Sequence, residues 1–131
     1  MKRSNRLLAY PLQGAAAVIL AFAGVSKLTG DPGSVEMFAR LGMEPFGRYL
    51  VGGLECVAAL ILILPYAAAW GGVLAWGLMT GALIAHATRL GVSGNMLPFA
   101  AAALAIWIAS SAILYLRREE IGFVRCMFER E

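Results

Sequence analysis

Four long apolar runs separated by short breaks constrain this chain more than any single motif does. A helix rises 1.5 Å per residue, so crossing the hydrocarbon of a bilayer takes roughly 20 apolar residues. The 131 residues hold four such spans with short connections and leave no room for a second domain. With 60% hydrophobic and 15% charged residues, the chain carries more apolar surface than a soluble domain of this size can hide. The expected architecture is all-α, a bundle of four transmembrane helices forming one integral membrane domain over residues 1–131.

The first span is expected from about Tyr10 to Leu28, closed by the turn sequence Thr29-Gly30-Asp31-Pro32-Gly33. The second runs from about Tyr49 to Leu64 and stops at Pro65. The third covers about Ala67 to Thr88, and the fourth about Met96 to Leu116 with Pro98 tolerated in its first turn. Between the first two spans, Ser34 is placed to cap a short amphipathic helix that lies flat on the bundle on its outer side. Its apolar face is expected to carry Val35, Phe38 and Leu41, and Gly42 ends it. The basic start followed by an apolar run has the layout of a signal peptide. That run is too long for one and lacks a clear A-x-A site, so it is expected to be a retained first helix.

Lys and Arg set the orientation. Lys2, Arg3, Arg6, Arg117, Arg118, Arg125 and Arg130 fall on one side, against Lys27, Arg40, Arg48 and Arg89 on the other. The richer side is expected to be cytoplasmic, with both termini there, in a multi-pass protein of the cell (inner) membrane. Tyr10, Tyr66, Trp70 and Tyr115 would then form an inner aromatic belt. Topology accounts for the net charge of +3, so no nucleic-acid partner is expected. The two cysteines, Cys56 in the second span and Cys126 in the tail, fall on opposite sides and are not expected to pair. Cys56 reads as a small apolar filler.

The chemistry rests on three ionisable residues from three different spans. Lys27 lies at the outer end of the first. Glu55 is expected roughly 9 Å inside the second and His86 roughly 3 Å inside the third, and the long lysine stem can reach inward to both. An ionised side chain at a helix centre costs roughly 2.5–3.5 kcal/mol on insertion scales, so Glu55 needs a partner. Lys27 is the first choice and Arg48, seven residues earlier on the same helix, the second. Taken singly, a lysine at a helix end and a histidine near an interface are ordinary structural residues. Their shared depth with Glu55 favours a polar pocket with Arg48 and Arg89 at its rim. Gly77 and Gly81 form a G-x-x-x-G continued by Ala85, read as close packing within the bundle, with homodimerisation as the alternative. One histidine and one carboxylate are too few ligands for a metal, and the chain has no P-loop or dinucleotide fingerprint.

These residues sit in segments that resemble a small DoxX-type membrane protein, from a family of four-helix proteins. The resemblance rests on F-A-G-V-S-K-L (Phe22 to Leu28), F-A-R-L-G-M-E-P (Phe38 to Pro45), G-G-L-E (Gly52 to Glu55) and A-H (Ala85, His86). It implies that the family's recurring polar positions fall on Lys27, Glu55 and His86. It also implies ties to quinone or thiosulfate oxidoreductase systems, to redox-stress complexes with soluble partners, or to assembly of other membrane proteins. The chain lacks the paired cysteines of disulfide-generating membrane bundles. The leading expectation is a pocket in the outer half of the bundle, lined by Lys27, Glu55, His86 and Arg48, that binds a small amphipathic molecule, a quinone or a lipid-like ligand. The chain supplies no cofactor of its own, so electron transfer would need one from a partner. The alternative is a non-enzymatic scaffold that docks another membrane protein through the Gly77/Gly81 face or the flat helix. A transporter is disfavoured, because no inverted repeat is visible.

Overall fold

A computed structural model describes residues 3–121, and among these the regular structure is entirely helical. The first helix, α1 (Arg3–Thr29), begins about two turns earlier than the apolar run and carries Pro11 inside it. It is followed by a short α2 (Pro32–Arg40), α3 (Phe46–Leu62), α4 (Ala68–Ala85) and α5 (Leu97–Leu116). A π-helical turn, His86–Leu90, extends α4, and 3-10 turns occupy Gly94–Met96 and Arg118–Glu120. Cys126 and the basic residues Lys2, Arg125 and Arg130 lie outside the described residues.

Three segments are long and apolar enough to cross a membrane: Arg3–Thr29, Ala68–Leu90 and Gly94–Leu116. Helix α3 has 17 residues, about 26 Å of helix and the lower limit for a span. It starts at Phe46, one turn before the expected Tyr49, so Glu55 lies about 14 Å from its first residue, deeper than its sequence position implied.

Helix α1 packs against α3 and α5, and α4 packs against the same two. The four long helices therefore form a ring in the order α1, α3, α4, α5. Its interior is alanine-rich, with Ala16, Ala17 and Leu20 meeting Ala58, Leu62, Ala75, Met79, Ala103 and Ile106. Small side chains let helices approach closely where lipid supplies no hydrophobic drive for association. On its outer surface the chain exposes large apolar groups such as Val18, Phe22, Leu60 and Ile108. Tyr10, Tyr66, Trp70 and Tyr115 all point outward and are exposed.

The glycines at the closest contacts are not those of the G-x-x-x-G. A Cβ on Gly24 would meet Cys56 Sγ at 2.6 Å and Gly52 O at 2.8 Å, and one on Gly52 would meet Lys27 Cβ at 2.9 Å. One on Gly71 would lie 2.8 Å from Leu62 N. Gly77 and Gly81 have nothing within 4 Å of a built Cβ, so packing within the bundle is not their role. They lie on a face of α4 that no neighbouring helix covers.

Helix α2 also departs from expectation. Asp31 caps it, its side chain accepting from Ser34 N at 3.3 Å, and Pro32 opens it. A proline at the first helical position needs no N–H and brings a suitable φ, so the helix begins earlier and Ser34 falls inside it. The buried face becomes Ser34, Met37 and Phe38, with Val35 half-buried at its edge. Met37 and Phe38 join Leu90 and Met96 in an apolar cluster that closes this end of the bundle.

Candidate functional site

Lys27 Nζ lies 3.1 Å from Glu55 Oε2, with Lys27 6% and Glu55 2% exposed. The contact follows from the backbone. Gly24 and Gly52 bring α1 and α3 almost main chain to main chain, so a lysine one turn beyond Gly24 and a glutamate one turn beyond Gly52 need only their side chains to meet. A desolvated carboxylate and ammonium are tolerated because each neutralises the other.

His86 is 4% exposed and opens the π-helical turn that extends α4. Its Nδ1 lies 2.9 Å from Gly91 O, and Gly91 N donates to His86 O at 2.9 Å. Gly91 has φ 75°, in the left-handed region that favours glycine, so the residue ending the turn also fixes the imidazole. A carbonyl oxygen only accepts, so Nδ1 carries the hydrogen and Nε2 of the neutral ring is an acceptor. π turns are rare and concentrate at functional sites.

Lys27, Glu55 and His86 border one cavity of about 370 Å³ between the four long helices and α2. Its remaining lining is apolar, including Met37 and Phe38 from α2, Val51 from α3, Met79 and Ala82 from α4, and Phe99 and Ile106 from α5. Among the described residues, Glu55 Oε1 and His86 Nε2 have no hydrogen-bond partner, and Lys27 uses one of its three donors on Glu55. The polar end of the cavity therefore offers spare donors and spare acceptors side by side.

Arg48 lies apart from this cavity. Its Nε donates to both oxygens of Glu44, at 3.0 and 2.9 Å, its Nη1 donates to the carbonyl of Lys27, and its guanidinium sits over the Tyr49 ring at 4.5 Å. It satisfies a carbonyl in the last turn of α1, where a cation is favoured. It does not reach Glu55 because Glu44, four residues earlier, is a nearer carboxylate.

A second polar cluster at the opposite end was missed in the sequence. Gln13 Nε2 donates to Leu62 O at 2.9 Å, and Gln13 Oε1 accepts from Arg117 Nε at 2.6 Å. Arg117 also donates to Glu120 at 2.8 Å and, like Gln13, is almost wholly buried. The signal was present as a lone amide in the run Tyr10 to Leu20; its partner lies 104 positions away. Between the two clusters, Trp107 Nε1 donates to Thr80 Oγ1 at 3.0 Å and its ring lies 6.3 Å from that of Trp76, tying α4 to α5.

A ring of apolar helices closed around a buried ion pair defines a small multi-pass membrane protein. Within that class the chain belongs to the DoxX-like family, whose model matches residues 11–119, a stretch that takes in most of α1, all of α3, α4 and α5, and Lys27, Glu55, His86, Gln13 and Arg117. No curated protein and no solved structure matches it.

Proposed function

We propose that the cavity beside Lys27, Glu55 and His86 binds a small amphipathic molecule drawn from the membrane, of quinone or lipid-like chemistry. The observation that carries this reading is an apolar cavity of ligand size with unpartnered polar atoms at one end. Cavities of roughly 300–1,000 Å³ with a few convergent polar groups are the usual form of small-molecule sites. The spare Lys27 donors suit a carbonyl or hydroxyl oxygen of the ligand, while Glu55 Oε1 and His86 Nε2 suit a hydroxyl hydrogen. A head group with a hydroxyl, or with a carbonyl that becomes one, meets both demands. A redox role would make this chain the membrane subunit that holds the molecule, the electrons coming from a partner.

In this reading α1, α3, α4 and α5 all span the cell (inner) membrane. The residues around Arg3 and Arg117 face the cytoplasm, and α2 lies at the outer surface over the cavity. The scaffold reading loses α2 as a docking surface, since Ser34, Met37 and Phe38 face into the bundle, and keeps the uncovered face of Gly77 and Gly81.

Mass spectrometry of small molecules that co-purify with detergent-extracted protein tests the reading, with wild type and Glu55→Gln compared at equal folded yield. The expected result is one quinone or lipid species retained by wild type and lost from the variant. Identical extracts from the two would overturn the pocket.

A further inference from the structure

The cavity lining runs around α4 in an unusual way. At about 100° per residue, Met79, Ala82, Leu78, Ala85, Gly81 and Gly77 follow one another in a single rotational sense. Their burial falls in the same order, from buried Met79 through half-buried Ala82, Leu78 and Ala85 to exposed Gly81 and Gly77. This arc of about 200° turns through the side on which Gly71 meets Leu62 of α3. Trp76 and Thr80, which meet Trp107 of α5, lie on the other side. The cavity thus leaves the bundle between α3 and α4.

The two helices touch at Gly71 and Leu62. Gly77 and Gly81 lie about 9 and 15 Å along α4 from Gly71, and a Cβ on either would meet open space. The opening faces the lipid side of the ring, while Met37 and Phe38 close the end of the bundle. At its inner end stands His86, almost fully buried, with Nε2 unpartnered among the described residues.

We infer that the gap between α3 and α4 is a lateral portal through which a single-chain amphiphile dissolved in the bilayer places a hydroxyl head between Lys27, Glu55 and His86 while its apolar chain leaves over Gly77 and Gly81. This rests on the ligand-pocket reading and adds route, orientation and ligand class. A hydroxyl both donates and accepts, matching the spare groups at the inner end. The apolar chain of such a molecule needs an apolar exit, which two glycines with open space above them provide.

The test uses the full chain reconstituted in phospholipid nanodiscs with hexadecanol bearing a diazirine midway along its chain. After irradiation, adducts are mapped by peptide mass spectrometry in wild type and in Gly77→Leu/Gly81→Leu. In wild type, adducts are expected on the α4 segment around Gly77 to Ala85 and on cavity residues such as Ala103 and Ile106. The double leucine variant should lose the cavity adducts and keep those on the outward face of α1 at Val18 and Phe22. Monodisperse elution at wild-type yield checks that it folds. Cavity adducts undiminished in the double variant would overturn the portal and leave the pocket standing. Wild type labelled on its lipid-facing surface alone would overturn the pocket and the portal together.

Discussion

Lys27 and Glu55 are stable together and costly apart, because almost no water reaches either of them. Removing one member of a buried pair strands the other and typically costs about 3–5 kcal/mol, whereas replacing both with apolar groups of similar volume is often close to neutral. Lys27→Ala and Glu55→Ala should each cause a loss of that size in detergent-micelle unfolding, and changing both residues to methionine should restore most of it. A double variant as unstable as the sum of the two singles would mean that the pair is not what stabilises this junction. The need for a partner was legible from Glu55 alone, since a carboxylate in an apolar run must be neutralised, and Lys27 was the natural choice at a helix end. The role of Arg48 was not legible. It depends on α3 beginning at Phe46, which leaves Glu44 one turn before the arginine and brings the Lys27 carbonyl within reach.

At the scale of helices, glycines divide into those that hold contacts and those that leave space. Gly24→Ala drives a methyl group into Cys56 Sγ and the Gly52 carbonyl, and overpacking of this kind costs roughly 1–3 kcal/mol. It should also spread α1 from α3 and lengthen the Lys27–Glu55 contact. Gly77→Ala meets nothing, and alanine in place of glycine within a helix gains up to about 1 kcal/mol. Thermal unfolding of the two variants side by side checks the contrast, and equal losses would contradict it. The G-x-x-x-G spacing was visible in the sequence because it marks a helix face that a neighbour can approach. Which face a neighbour does approach depends on the ring order of the bundle, and no local pattern carries that. The same limit applied to α2, where Asp31 and Pro32 took the start of the helix from Ser34.

Across the whole molecule, the two polar clusters sit at opposite ends and fasten different helices. Lys27 and Glu55 join α1 to α3; Gln13 joins α1 to the end of α3 and, through Arg117, to the end of α5. Gln13→Leu removes the donor to Leu62 O and the acceptor of Arg117 Nε at once, and leaving such buried groups unmatched costs about 1–3 kcal/mol each. Adding Arg117→Met to Gln13→Leu should cost less than Arg117→Met costs in wild type, a coupling that a double-mutant cycle in detergent would read. Independent effects would mean that the two side chains do not act as a unit. The all-helical class was legible because hydrocarbon thickness imposes long apolar runs on the sequence, and three of the four expected spans are long and apolar enough to cross a membrane, α3 with its 17 residues being the shorter exception. The clamp was not, because its members are near each other only after the chain has folded.

Chain growth gives that clamp a meaning in time. Gln13 is synthesised early, and its amide has no match until Leu62, and then Arg117, have been added. A nascent chain that has reached Leu62 but not Arg117 can therefore match the amide nitrogen of Gln13 and not its oxygen, and an unmatched polar group away from water is expensive. The order of the sequence thus sets the order in which the two ends of one amide are matched, its nitrogen by Leu62 first and its oxygen by Arg117 afterwards.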